Sequence, residues 1–135
     1  MLYVTRREHF SAAHRLFNPA WDDETNTRVF DKCNNPAGHG HNYYLEVTVA
    51  GEIDPDTGYV IDVKLLSAIM HRQVLDKLDH KNLNADVDFL AGVNPTAENI
   101  VVGIWKQLEH QIPTGKLYRI VLYETEKNFV EYMGT

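Results

Sequence analysis

The sequence predicts an α+β domain in which two helices cover one face of a four-stranded sheet. Three observations support this: apolar residues alternate near the N-terminus and in residues 39–51, two apolar stripes of helical spacing follow, and alternation returns at the C-terminus. The order strand, strand, helix, helix, strand, strand is typical of the α+β class. A chain of 135 residues fits a single domain, 1–135, with one hydrophobic core.

The first part of the chain contains two predicted strands separated by a long loop. In residues 2–17, His14 and several apolar residues fall on one face of an extended chain. Residues 18–37 are rich in Asn, Asp and Pro and are predicted to be a loop, long enough to suggest a functional role. Residues 39–51 alternate most clearly and form the second strand, and residues 54–58 form a turn.

Two helices and a closing hairpin are predicted in the remainder. Asp62 is a suitable N-cap for a helix over residues 62–78, which carries an apolar stripe. Residues 94–95, Asn followed by Pro, are predicted to open a second helix. Residues 116–125 and 128–133 form the hairpin. Tyr and Val residues would occupy the sheet face without helices, so we expect a partner subunit there and therefore an oligomer.

Composition narrows the functional classes. The net charge of −6 argues against nucleic acid or an anionic membrane as a partner. No apolar run approaches the roughly 20 residues of a membrane span, and the N-terminus lacks a secretory pattern. Cys33 is the single cysteine, so no intrachain disulfide can form. We therefore expect a cytoplasmic protein.

Three histidines form the candidate metal site. His39 and His41 are two residues apart on a strand, so their side chains point to the same side. His14 lies on the preceding strand, which we expect to be the neighbour of the second. Three imidazoles with one open position are typical of catalytic zinc, although a His-x-His pair on a strand is often plain polar surface. Gly38 and Gly40 alternate with the two histidines and favour a close approach by another group.

Other candidate residues have two interpretations from sequence alone. Cys33 is either a small buried residue or a thiolate base near a metal. Asp79 and His80 are either a solvated helix end or a carboxylate-assisted proton shuttle. Glu124 shares a strand face with core residues, which indicates either a paired ligand-binding carboxylate or a strand that has reached solvent. Three histidines are interpreted as surface residues: His9, His71 and His110.

Six segments together resemble one known family. In chain order they are FSAAHRL, KCNNPAGHGHNY, GEIDPDTGYVID, LDHKNLN, PTAEN and YET. Each is weak alone, but the set covers nearly the whole chain and closely resembles the 6-pyruvoyl-tetrahydropterin synthase family. The resemblance implies the tunnelling fold, an antiparallel four-stranded sheet with two helices on one side (ββααββ). It also implies trimeric barrels that stack into a hexamer, with active sites between subunits.

The same resemblance implies roles for nine residues. They are the Zn²⁺ ligands His14, His39 and His41, the catalytic residues Cys33, Asp79 and His80, and the substrate-binding residues Glu124, Thr96 and Glu98. The implied reaction converts 7,8-dihydroneopterin triphosphate into 6-pyruvoyl-tetrahydropterin with loss of triphosphate. No residue is assigned to the triphosphate, for which Arg15, Lys32 and Lys81 are candidates.

Three alternatives remain at this point. A 6-carboxy-tetrahydropterin synthase of queuosine biosynthesis uses the same substrate, but its cysteine often stands four residues before the HGH segment. Here Cys33 stands six residues before His39, as in the biopterin branch, which favours the pyruvoyl product. A non-catalytic metal- or pterin-binding protein of this fold would not need intact Cys33, Asp79, His80 and Glu124. A zinc hydrolase would not need Cys33.

Overall fold

The computed structural model describes residues 1–135 and confirms the α+β class. Four strands form antiparallel pairs, namely β1 (Leu2–His14), β2 (His39–Gly51), β4 (Lys116–Tyr123) and β5 (Phe129–Tyr132). A two-residue strand, β3 (Lys81–Asn82), pairs in parallel with the end of β1. The sheet order is β3-β1-β2-β4-β5, so it is a mixed five-stranded sheet rather than the expected four-stranded antiparallel one.

Three helical regions accompany the sheet instead of two. Helix α1 (Asp23–Phe30) is followed directly by a 3₁₀ turn (Asp31–Asn34). Helix α2 consists of Val63–Met70, a π-helical turn His71–Leu75 and a last turn Asp76–Leu78, without a break. Helix α3 is Ala97–Leu108, and a short 3₁₀ turn, Asp88–Leu90, precedes it. None of these helices combines the length and the apolar character that a membrane-spanning helix requires.

The prediction of a loop over residues 18–37 was wrong for its central part. Helix α1 begins there because the Asp22 carboxylate accepts a hydrogen bond from the Thr25 amide at 2.7 Å. The helix is short and mostly exposed, with Asn26 as its buried residue, so it has no apolar stripe that a sequence pattern could detect. The loop that carries Cys33 is therefore held by regular structure on one side.

Two predicted boundaries also differ from the structure. The first strand ends at His14 rather than at residue 17. The last helix begins at Ala97 rather than at residues 94–95, because the Thr96 hydroxyl caps it by accepting from the Asn99 amide at 3.2 Å. Pro95 lies before this cap, which leaves its carbonyl free to contact the site described below.

The core lies between one face of the sheet and helices α2 and α3. At its centre Phe10 and Tyr43, which face each other across β1 and β2, stack with ring centroids 4.7 Å apart. The same sheet face carries Ala12 and the three predicted metal ligands, where β1 ends and β2 begins. The opposite face has no helix and keeps Tyr3, Tyr44 and Tyr118 at least 40% exposed.

Candidate active site

The three predicted metal ligands converge in the structure. The antiparallel register places His14 opposite His39 and Ala12 opposite His41, so all three imidazoles leave the sheet on its core face. Each ring offers one ligand nitrogen, and these nitrogens lie within 4.8 Å of one another. The ring centroids of the three pairs are 4.6 to 5.1 Å apart.

Contacts from outside the triad orient His14. Its Nδ1 lies 2.7 Å from the carbonyl oxygen of Pro95 and 3.4 Å from the hydroxyl of Tyr43. Because a carbonyl only accepts hydrogen bonds, Nδ1 carries the proton and Nε2 presents a lone pair toward the other histidines. Tyr43 could have been found as a buried residue on the face of His41, whereas no sequence signal identifies the Pro95 carbonyl.

The protonation state of His14 suits a metal ligand. The side chain is 1% exposed, and this burial is the main reason that the pKa of His14 falls from 6.5 to about 4. The hydrogen bond to Pro95 opposes the shift, whereas the charges of His39 and His41 reinforce it. Burial also lowers the pKa of His41, against the opposite effect of the Glu124 carboxylate. His14 is therefore neutral at physiological pH, as an imidazole must be to bind a metal.

One interatomic distance also fits a zinc ion. Nε2 of His14 and Nε2 of His39 are 3.1 Å apart, close to the separation of about 3.3 Å that two Zn–N bonds of about 2.0–2.1 Å give at a tetrahedral angle. Nε2 of His41 is buried without a hydrogen-bond partner. A buried nitrogen with no partner is costly unless a further group satisfies it. The donor set of three imidazoles is that of catalytic zinc sites.

One cavity brings the predicted substrate-binding residues together. It has a volume of about 340 Å³, and its lining includes Thr96, Glu98 and Glu124. Glu124 follows directly after β4, and its Oε1 lies 3.9 Å from Nε2 of His41. The turn after Glu124 is fixed because its amide donates to the Asn128 carbonyl at 3.0 Å. Glu124 therefore lines a cavity and approaches the histidine cluster, and it is not a strand end in open solvent.

Asp79 and His80 are in direct contact at the end of α2. His80 Nδ1 lies 3.0 Å from Asp79 Oδ2, while the Ser11 amide donates to Asp79 Oδ1 at 2.9 Å. The Ser11 hydrogen bond, assisted by His80, lowers the pKa of Asp79. The His80 amide donates to the Ser11 carbonyl, which holds His80 at a left-handed φ of 60°. His80 is exposed and lines a second cavity, of about 540 Å³, together with His41 and Lys81.

Cys33 is not part of either cavity within one chain. It is half-buried in the 3₁₀ turn, and its carbonyl accepts a hydrogen bond from the Leu16 amide at 2.8 Å. This bond ties the cysteine turn to the chain two residues beyond His14. The three histidines interpreted as surface residues are exposed, as expected: His9, His71 and His110.

Comparisons with known proteins agree with this geometry. The family model for 6-pyruvoyl tetrahydropterin synthase matches residues 3–135. A human 6-pyruvoyl tetrahydrobiopterin synthase is 50% identical over 131 residues, which cover 97% of this chain and 90% of that protein. A protein of the same description from Drosophila melanogaster is 44% identical over 133 residues, covering 98% of this chain and 79% of that protein.

A solved structure gives the same result for the fold. The structure of Caenorhabditis elegans 6-pyruvoyl tetrahydropterin synthase superimposes with a TM-score of 0.93 at 39% identity, covering 99% of this chain and 96% of that one. Sequence and fold both match over nearly the full length, and this chain belongs to the 6-pyruvoyl tetrahydropterin synthase family.

Proposed function

We propose that this chain is a zinc-dependent lyase that converts 7,8-dihydroneopterin triphosphate into 6-pyruvoyl-tetrahydropterin and triphosphate, a step of tetrahydrobiopterin formation. One observation carries the proposal: a three-histidine cluster lies 3.9 Å from a carboxylate that lines a cavity. The human and Drosophila relatives are described as 6-pyruvoyl tetrahydrobiopterin synthases, which supports the pyruvoyl product over the 6-carboxy product.

His14, His39 and His41 would hold the zinc ion. A bound Zn²⁺ would polarise the side-chain hydroxyls of the substrate and acidify the neighbouring C–H bond. The protein's own contribution is to keep His14 neutral and correctly oriented, through burial and through the Pro95 carbonyl.

Glu124 is the proposed anchor for the pterin ring. A carboxylate accepts two parallel hydrogen bonds from the ring N–H and the amino group, and these fix the orientation of the ring. Thr96 and Glu98 line the same cavity and are proposed to complete it. Because Glu124 lies beside His41, a pterin ring bound to Glu124 would place the side chain of the substrate at the metal site.

Cys33 is the proposed base, and Asp79 and His80 are proposed to assist proton transfer. Cys33 removes a proton from the substrate side chain, triphosphate leaves by elimination, and the side chain is oxidised as the ring is reduced. The contact of Asp79 with Nδ1 of His80 supports a relay, because it directs the other ring nitrogen outward. No external redox cofactor is needed for this internal exchange.

The assembly is proposed to be a hexamer of two stacked trimers with shared active sites. Two observations support it: Cys33 and His80 line no common cavity described within one chain, and the sheet face without helices is rich in exposed tyrosines. A subunit boundary would bring catalytic groups of neighbouring chains together. With a single cysteine and hence no intrachain disulfide, we propose a cytoplasmic location.

The test is incubation of the zinc-loaded protein with 7,8-dihydroneopterin triphosphate, followed by mass analysis of the pterin product. A pyruvoyl side chain and released triphosphate are expected. A carboxylate at the same position would assign the queuosine branch, and an unchanged substrate would indicate a binding protein. Full activity of Cys33→Ala would instead indicate a metal-bound hydroxide, as in a zinc hydrolase.

A further inference from the structure

Arg15, the residue after the metal ligand His14, makes a two-pronged contact with the turn that carries Cys33. Its Nε donates to the backbone carbonyl of Asn34 at 2.9 Å, and its Nη2 donates to the Oδ1 of the same residue at 2.9 Å. Asn34 is only 7% exposed, so the accepting side of this partly buried contact is shielded from solvent. A guanidinium presents two parallel N–H groups in a fixed fork, which a lysine cannot reproduce.

A second bond holds the same turn from the neighbouring residue. The Leu16 amide donates to the Cys33 carbonyl at 2.8 Å, so consecutive carbonyls of the turn are both bonded to the extension of β1. The side-chain Nδ2 of Asn34 also donates to the Thr27 hydroxyl at 3.3 Å, which connects the turn to helix α1. The cysteine turn is thus fixed between α1 and the residues that follow His14.

The position of Arg15 is itself defined by Asn84. The Arg15 amide donates to Asn84 Oδ1 at 2.7 Å, and Asn84 Nδ2 donates back to the Arg15 carbonyl at 2.8 Å. The guanidinium carbon lies 4.1 Å from the ring centroid of Phe17, which covers one face of the charged group. Backbone and side chain of Arg15 are therefore both restrained.

We propose that Arg15 is a positioning residue for Cys33: its guanidinium fork sets the distance between the cysteine turn and the metal ligand His14. The proposal rests on the proposed function, in which Cys33 removes a proton from a substrate bound at the histidines. It also removes Arg15 from the candidates for binding triphosphate, because two of its N–H groups and one face are already occupied.

The experiment compares Arg15→Lys with Arg72→Lys, a control that changes an exposed arginine on α2. Because Cys33 is the single cysteine, its rate of alkylation by iodoacetamide reports on the turn in the zinc-free protein, without any need for turnover. Arg15→Lys keeps the positive charge but loses the fork. Because the cysteine turn is then less restrained, the half-buried Cys33 is alkylated faster than in the control. In the zinc-loaded protein kcat falls by up to about 10²-fold at unchanged KM, as expected when a catalytic group is misplaced by about 1 Å.

Asn34→Ala provides a second variant that removes the Oδ1 acceptor and leaves Arg15 in place. It shifts alkylation and kcat in the same direction, although it also removes the Nδ2 bond to Thr27 and keeps the carbonyl that accepts from Arg15 Nε. The effect of the double variant is smaller than the sum of the two single effects, because both changes break the Nη2–Oδ1 bond. Equal alkylation and equal kcat in Arg15→Lys and the control would overturn the proposal. A raised KM with normal kcat and alkylation would also overturn it and assign Arg15 to the substrate.

The proposed function fails separately. If Cys33→Ala turns over substrate like the unmodified chain, Cys33 is not the base, yet the alkylation rates still decide whether Arg15 holds the turn. If Cys33→Ala is inactive while Arg15→Lys behaves like the control, the proposed function stands and the positioning role is refuted.

Discussion

The two glycines beside the metal ligands are expected to differ in how much stability the same substitution costs. Gly38 has a φ of +77°, and a Cβ there would lie 3.1 Å from the His14 carbonyl oxygen. Gly40 has no positive φ, and its Cβ would lie 3.6 Å from the Ala12 carbonyl oxygen, an ordinary contact. Gly38→Ala therefore strains the backbone next to His39, whereas Gly40→Ala does not.

The expected difference follows from the two backbones. Replacing glycine reduces the freedom of the unfolded chain by the same amount in both variants, about 0.4–1 kcal/mol, and this gain cancels in the comparison. A left-handed conformation costs a non-glycine residue about 1–2 kcal/mol, and the tight contact at Gly38 adds to this. Gly38→Ala should thus be less stable to unfolding than Gly40→Ala by about 1–2 kcal/mol or slightly more.

Urea unfolding of the zinc-free variants, followed by the fluorescence of the two tryptophans, measures this difference. Zinc titration of the same samples should show weaker binding only for Gly38→Ala, because residue 38 directly precedes His39 and its Cβ would press against the backbone of His14. Equal unfolding free energies for the two variants would refute the reasoning, since they would mean that the left-handed backbone at Gly38 carries no cost.

Three further predictions concern the site directly. His39→Ala should lose zinc, measured as metal bound per chain, whereas His9→Gln, on the opposite sheet face, should retain it; zinc retention by His39→Ala would exclude the proposed site. Glu124→Gln should weaken the binding of an unreactive pterin by about 10–150-fold in calorimetry, from the loss of a hydrogen-bonded charge worth about 1.5–3 kcal/mol, while zinc content stays unchanged. The hydrogen bond from the Ser11 amide lowers the pKa of Asp79 in the folded chain. The Asp79 carboxylate therefore stabilises the fold at pH values above its ordinary pKa of 3.8, and this contribution is lost as the pH falls through the lowered pKa. Unfolding of Asp79→Asn and of the unmodified chain should therefore differ at neutral pH and converge in acid, and a difference that persists unchanged at pH 2 would contradict this origin.

The sequence alone determined which histidines share a face. Side chains alternate along a strand, so the spacing of His39 and His41 fixes their common direction, and a simple connection makes β1 their neighbour. Periodic spacing of apolar residues likewise predicted the second strand, β2, and the helix over residues 62–78, which is α2. Helix α1 escaped prediction because its residues are mostly exposed and its stability comes from the Asp22 cap and from contacts of Asn26 rather than from an apolar stripe.

Only the tertiary structure decided how the site is completed. The Pro95 carbonyl reaches His14, Glu124 reaches His41, and Arg15 reaches Asn34 across separations of 81, 83 and 19 residues. These contacts depend on where loops and strand ends lie once the sheet and helices have packed, and no local periodicity encodes that arrangement. Sequence patterns report how one segment faces its neighbours, whereas the orientation of a ligand and the position of a base result from the packing of the whole chain.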